Sequence, residues 1–405
     1  MKILSSWTST QKHVVAASFM VWTLDALDFF LLIFSLKYMA TEFHASIIQV
    51  SLGTTLTLAC RPVGAYLFGR LADRYGRRPI LMFNVFVYSI LSFCIGFVPN
   101  LTTFLIVTAS FGVGMGGVWG ICSSLAMETI EPKSRGLVSG LLQSGYSTGY
   151  LLSSALFGLT FAAIGWRGMF MVCIVPALLL IPYIYFKVPE SPVFDVSASN
   201  RLSTVSVLRT HWKLTLYAIF LATALIYYSH GTQDLYPTFL LKRHGLTPGQ
   251  VGMVVTVYTI GAILGSVVFG SLSQRYGRRR MMIAAALLAI PTMYIWAFSG
   301  NALGLTIGAF FVNFFVQGCW SIIPAYLNEL SPAGARGTFA GTVYQLGSLF
   351  GAANLTLQTE IANSYGYGLA LASVAILAAI VITVMLMLGP EAHNVSMKQP
   401  QPVAI

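Results

Sequence analysis

Charge is what this chain has least of. Asp, Glu, Lys and Arg together make up 9% of its 405 residues, against roughly a quarter in an average soluble domain. Hydrophobic residues make up 56%, and the mean hydropathy is +0.77. So little polar surface cannot cover an aqueous fold of this size, which excludes an ordinary soluble protein and leaves a polytopic membrane protein. Cysteine is scarce too. Cys60, Cys94, Cys122, Cys173 and Cys319 all lie in apolar stretches, and no pair has metal-ligand or CxxC spacing. They read as small packing residues, and no metal site is expected. There is no nucleophile elbow, no nucleotide-binding loop and no extramembrane segment of domain size, so an enzyme or a receptor finds no support, and no cofactor is expected. Met1 to His13 lacks a signal-peptide cleavage pattern, and the apolar run after it is long enough to span a bilayer.

What is present is a basic, glycine-punctuated turn between apolar runs, Gly69-Arg70-Leu71-Ala72-Asp73-Arg74-Tyr75-Gly76-Arg77-Arg78-Pro79. It returns 201 residues later as Gly270-Ser271-Leu272-Ser273-Gln274-Arg275-Tyr276-Gly277-Arg278-Arg279-Arg280. Trp119, Glu128, Arg135, Gly136 and Gly140 have partners at the same offset in Trp320, Glu329, Arg336, Gly337 and Gly341. The net charge of +11 could suggest nucleic acid. The arginines, however, sit in short loops between apolar runs, which is a topological pattern, so no nucleic-acid partner is expected.

Twelve runs are long enough to cross a membrane, at 14–36, 49–69, 79–98, 101–123, 137–160, 166–186, 213–240, 249–271, 281–299, 302–325, 338–360 and 367–388. The expected fold is an all-α membrane protein of twelve transmembrane helices in two six-helix pseudo-symmetric halves. The expected domains are an N-terminal bundle (1–186), a linker (187–212), a C-terminal bundle (213–388) and a tail (389–405). With the N-terminus inside, 18 of 23 Lys and Arg residues fall on cytoplasmic segments. That predicts a multi-pass protein of the cell (inner) membrane with both termini cytoplasmic. Parallel repeats of this kind bind substrate near the midplane between halves.

An ionisable residue at membrane depth is costly and defaults to a functional hypothesis. Asp25 and Asp28 lie roughly 17–21 Å along the first run, three residues apart and expected on one face. Two carboxylates in a dry cleft do not both ionise easily, which is the property a proton carrier needs. Arg61 lies roughly 12 Å from the basic end of its run. Its guanidinium needs an anion: Asp25, Asp28 or the carboxylate of a substrate. In the seventh run, His230 and Asp234 are one turn apart beside Gln233, with Pro237 just beyond. Gln143, Tyr146, Trp320 and Gln345 are candidate cavity residues, with interhelical packing as the alternative. Gly112, Gly114, Gly116 and Gly117, and again Gly136, Gly140, Gly145 and Gly149, read as close helix packing. Glu128 and Glu329 are expected to pair with arginines of the basic turns.

The Gly69–Arg78 stretch, its copy at Gly270–Arg279, and Glu128 with Arg135 resemble the major facilitator superfamily over almost the whole chain. The run Ser229, His230, Thr232, Gln233, Asp234 and Thr238 resembles the helix-7 signature of the sialate:proton symporter group, which includes the fungal lactate permeases. The signature opens with Asn where this chain has Ile226. The resemblance implies a symporter that imports a small carboxylate with protons; a monomer is expected. Lactate or pyruvate is favoured; sialate, a short dicarboxylate or an aromatic acid is the alternative, and a proton/drug antiporter is a weaker one. It implies that Arg61, His230 and Asp234 take part in substrate or proton handling; by their own placement Gln233 is expected among the substrate ligands, and Asp25 and Asp28 with Asp234 in proton coupling. The basic turns then act as a cytoplasmic gate built from Asp73, Arg74, Arg77, Arg78, Glu128, Arg135, Arg275, Arg278, Glu329 and Arg336.

Overall fold

A backbone in hydrocarbon must satisfy its own hydrogen bonds, and this chain does so with helices. The computed structural model describes residues 7–194, 209–332 and 335–393, with 395 and 397. Among the described residues there is no strand. Most of the expected linker and tail lies outside them. In order the helices are α1 (Ser9–Glu42), α2 (Ile47–Tyr75), α3 (Arg77–Ile95), α4 (Leu101–Gly116), α5 (Val118–Thr129), α6 (Arg135–Lys187), α7 (Trp212–Gln233), α8 (Tyr236–His244), α9 (Pro248–Tyr276), α10 (Arg278–Phe298), α11 (Ala302–Trp320), α12 (Ile323–Leu330), α13 (Arg336–Gly351), α14 (Asn354–Tyr365) and α15 (Tyr367–Leu388).

The duplication reaches the helix caps. Ser46 with Gln49 opens α2 as a capping box, and Thr247 with Gln250 opens α9 in the same way, 201 residues on. Asn100 caps α4 and Asn301 caps α11. Each box satisfies orphan N–H groups where a helix begins.

Nine stretches among the described residues are long and apolar enough to cross a membrane. One of them contains α6, whose 53 residues exceed one crossing more than twofold. Gly165 breaks it at φ 62°, ψ 179°. Both its ends lie on the arginine-rich face: Arg135 meets Glu329, and the Tyr185 carbonyl accepts from Arg78. At the bend, Arg167 bonds Glu42 and the Gly96 carbonyl on the opposite face. α6 is therefore two antiparallel spans. The more polar α2 and the α13–α14 pair complete the twelve. Across the halves α2 packs along α13, and its counterpart α9 packs along α6.

Four of the expected continuous runs are broken. α4 gives way to α5 at Gly117, α7 to α8 before Pro237, α11 to α12 before Pro324, and α13 to α14 at Ala352. Pro237 and Pro324 lack the N–H that would continue a helix, and they sit instead in the first turn of the next one, where no N–H is needed.

The glycines set helix spacing. A Cβ on Gly64 would lie 1.9 Å from the Val113 carbonyl oxygen, and one on Gly265 would lie 1.8 Å from that of Phe314. These are the same crossing in the two halves. Gly112 and Gly116 meet the backbone of Thr57 and Arg61 in the same way, and Gly149 meets that of Thr23. Gly265→Ala is expected to cost about 1–3 kcal/mol or more by overpacking. The check is its melting temperature in detergent beside Gly249→Ala, which meets nothing within 4 Å.

Candidate functional site

The deepest charged pair belongs to the N-terminal half. Arg61 Nη2 lies 3.5 Å from Asp25 Oδ2 and 3.3 Å from Met115 Sδ, and its guanidinium lies 4.9 Å from the Phe29 ring centre. Arg61 is 5% exposed and Asp25 is 1% exposed. The pairing is single-ended: Arg61 Nε and Asp25 Oδ1 have no partner. A buried arginine normally uses its fork bidentately, so this one keeps donors in reserve.

Asp28 departs from expectation. It is buried, but it faces Ser92 of α3 and Cys173 in the second span of α6, rather than Arg61. Positions three apart differ by about 60° around a helix. That angle carries one carboxyl to the cleft and the other into the wall of the half.

Across the cleft, His230 Nδ1 sits 3.1 and 3.2 Å from the two Asp234 oxygens. These side chains are 35% and 30% accessible, so this pair opens toward the face away from the arginines. Tyr146 of α6 lies within electrostatic reach of Arg61, Asp25 and Asp234, which places it between the pairs. Tyr344 of α13 lies within reach of Arg61 and Asp25. Below them the cleft is filled by rings. Tyr344 stacks on Trp119 at 4.2 Å, meets Trp320 edge-on at 5.5 Å and meets Trp22 edge-on at 6.3 Å, while Trp22 stacks on Tyr146 at 5.9 Å. Above them Phe30, Tyr146, Ser147, Tyr150, Gln233 and Tyr258 enclose about 20 Å³ of free volume, roughly the room of one water.

The remaining candidate residues divide. Gln143 accepts from Trp119 Nε1 at 3.3 Å, and Trp320 donates to the Leu225 carbonyl at 3.0 Å, so both hold packing contacts. Gln233 reaches the cavity and donates to Asn313 at 3.0 Å. Gln345 is 1% exposed with neither end of its amide partnered.

The basic face is closed by a two-fold lattice. Arg77 bonds Asp73 at 2.8 Å and Glu128 at 3.1 Å. Its counterpart Arg278 bonds Glu329 twice, at 3.0 and 3.1 Å. Between halves, Asp73 accepts from Gly337 N, Thr338 N and Thr338 Oγ1 at 3.2, 2.9 and 2.5 Å, at the positive end of α13. Gln274, standing where the first copy has Asp73, accepts from Gly136 N at 3.1 Å. Arg135 meets Glu329 at 3.5 Å, and Arg336 meets Glu128 at 3.9 Å. Of the expected gate arginines, Arg74 and Arg275 stack on Tyr75 and Tyr276, while Arg78 stays within its half, stacked on Tyr185.

Two acidic residues of this lattice escaped the sequence reading. Glu190 accepts from the backbone N–H groups of Arg77 and Arg78 at 2.8 and 3.2 Å, capping α3. Glu391 accepts from Arg279 N at 3.5 Å. They stand 201 residues apart, each after a proline, so the offset that revealed the basic turns would have found them. The preceding Gly76 takes φ 109°, and a Cβ there would fall 2.4 Å from Glu190 Oε2.

The sequence profile of the Major Facilitator Superfamily matches residues 18–247 and 219–403. The chain is 31% identical to a "carboxylic acid transporter protein homolog" of Saccharomyces cerevisiae over 86% of its own length and 61% of the relative's. It is 26% identical to the sialic acid transporter NanX of Escherichia coli, over 89% and 90% of the two chains. It is 27% identical to a cis,cis-muconate transport protein of Acinetobacter baylyi, over 84% and 85%. It thus spans under two thirds of the yeast relative and most of the bacterial ones. In fold it is similar to the proton:xylose symporter XylE, with a TM-score of 0.78 at 17% identity over 96% and 98% of the chains. It is also similar to the human organic anion transporter MFSD10, with a TM-score of 0.73 at 16% identity over 93% and 99%.

Proposed function

The chain belongs to the major facilitator superfamily, and on that premise we propose that it carries a small carboxylate into the cell together with a proton, by alternating access. The observation that supports this most is the single-ended Arg61–Asp25 pair facing His230–Asp234. Charge balance couples the two. Arg61 and His230 as cations offset ionised Asp25 and Asp234. A carboxylate adds an unpaired negative charge in a site of low dielectric, where unbalanced charge is costly. A proton arriving on Asp25 frees the Arg61 fork and restores the balance. Anion and proton then enter together or not at all.

The relatives named for carboxylic, sialic and muconic acids support a carboxylate as cargo. The arginine-rich face is the cytoplasmic one in this reading, and the structure is then the state closed to the cytoplasm. A small monocarboxylate of the lactate or pyruvate kind is favoured by the likeness of the Ser229–Thr238 run to that of the lactate permeases. The rings of Phe30, Tyr146, Tyr150 and Tyr258 favour a second reading, an aromatic or unsaturated acid. A drug antiporter is disfavoured, because a buried arginine selects an anion.

Uptake of labelled lactate or pyruvate into proteoliposomes, with unlabelled acids as competitors, tests the cargo. Competition by carboxylates but not by their amides is expected; indifference to the carboxylate overturns the proposal. Asp25→Asn is expected to keep exchange of internal for external substrate while losing accumulation driven by a proton gradient. Unimpaired accumulation by that variant removes Asp25 from proton coupling.

A further inference from the structure

Asp28 lies one turn from Asp25 yet occupies a separate compartment. The groups that face it are Ser92 from α3, Cys173 from the second span of α6, and Asp25 from its own helix. Tyr88 of α3 stands within reach of both aspartates and of Cys122 on α5. None of these is a cation, and among the described residues Asp28 forms no ion pair, whereas Asp25 pairs with Arg61. Asp28 is 3% exposed. One of its oxygens, the Tyr88 hydroxyl and the Ser92 hydroxyl are buried there without hydrogen-bond partners. These neighbours are neutral groups that can bond a neutral carboxyl, and none of them balances the charge of an ionised one. An isolated buried carboxylate is prohibitively costly and neutralises instead, and as an acid it donates one O–H to a neighbouring oxygen.

We infer that Asp28 is a neutral carboxylic acid throughout the transport cycle, a positioning residue that fixes α1 against α3 and α6 so that Asp25 alone meets Arg61 and exchanges the proton. The two aspartates, alike in sequence, thus divide the work by what surrounds them. The role given to Asp25 rests on the symport reading above; the protonation of Asp28 does not.

The test is infrared spectroscopy of the full-length protein in lipid, which reads the carbonyl stretch of a protonated carboxylic acid directly. Wild type should show such a band, unchanged through the neutral pH range. The band should be lost in Asp28→Asn and retained in Asp25→Asn. Asp28→Asn, which keeps shape and a donor, should retain gradient-driven uptake with an unshifted pH profile, whereas Asp28→Ala should lose it. A band that titrates away near neutrality, or that survives in Asp28→Asn, overturns the inference. So does an Asp28→Asn protein that exchanges substrate but no longer accumulates it. If Asp28→Asn fails to fold, the wild-type titration and the Asp25→Asn spectrum decide. Uptake indifferent to the proton gradient, with the Asp28 band as expected, sinks the symport reading and supports the assignment of Asp28.

Discussion

Arg61→Lys is expected to lower carboxylate uptake by about a hundredfold, with the protein still inserted and folded. A lysine keeps the charge and loses the planar fork. It can neutralise a substrate carboxylate, but as a point charge it does not grip one with two parallel hydrogen bonds. Hydrogen bonds to charged groups contribute about 1.5–3 kcal/mol each, so one lost bond to the substrate corresponds to roughly ten- to a hundredfold. The pair is also nearly dry, with Asp25 1% exposed, so water does not compensate. Arg61→Ala should be worse, because it leaves Asp25 buried with no cation; breaking such a pair costs about 3–5 kcal/mol. Uptake rates with expression and melting temperature measured in parallel give the answer. A lysine variant that transports normally would return Arg61 to a purely structural role.

The second large effect is expected at the basic face. Asp73 accepts three hydrogen bonds from Gly337 and Thr338 of the opposite half. At about 1.5–3 kcal/mol for each bond to a charged group, their sum approaches or exceeds the roughly 5.5 kcal/mol that inverts a two-state population from 99:1 to 1:99. Asp73→Ala should therefore open this face. Spin labels at the exposed positions Lys133 and Arg280, in a background with Cys60 and Cys94 replaced by Ser, should report a longer distance between halves. Gln274→Ala should change the distribution less, since Gln274 gives a neutral acceptor to one backbone N–H across the interface. Equal effects of the two substitutions would contradict the claim that charge at position 73 sets the latch.

Much of this architecture is legible in the residues. Apolar runs, the offset of 201 and the placement of arginines lead to twelve crossings in two halves. The pairing of His230 with Asp234 follows from their spacing by one turn. The interruptions at Gly117 and Ala352 are not legible, because hydropathy records apolar length and not continuity of a helix. The turn of Asp28 away from Arg61 is not legible either. Spacing by three suggests a shared face, and only the neighbours Ser92 and Cys173 show which side of that face is wall and which is cleft. Glu190 and Glu391 were hidden for a different reason: they sit in polar segments beyond the last helix of each half, where no membrane-depth argument singles out a carboxylate. Gln143 and Trp320 were polar and central, and each is spent on a partner within the protein.

Carboxylate and proton are proposed to cross together because the Arg61 fork is free for the carboxylate only while Asp25 holds the proton. That coupling is tested most directly by adding substrate to weakly buffered proteoliposomes at zero imposed gradient and recording external pH. Alkalinisation outside is expected, starting with substrate entry, vanishing with a protonophore and absent in Asp25→Asn. Entry of labelled carboxylate with no movement of protons would contradict it.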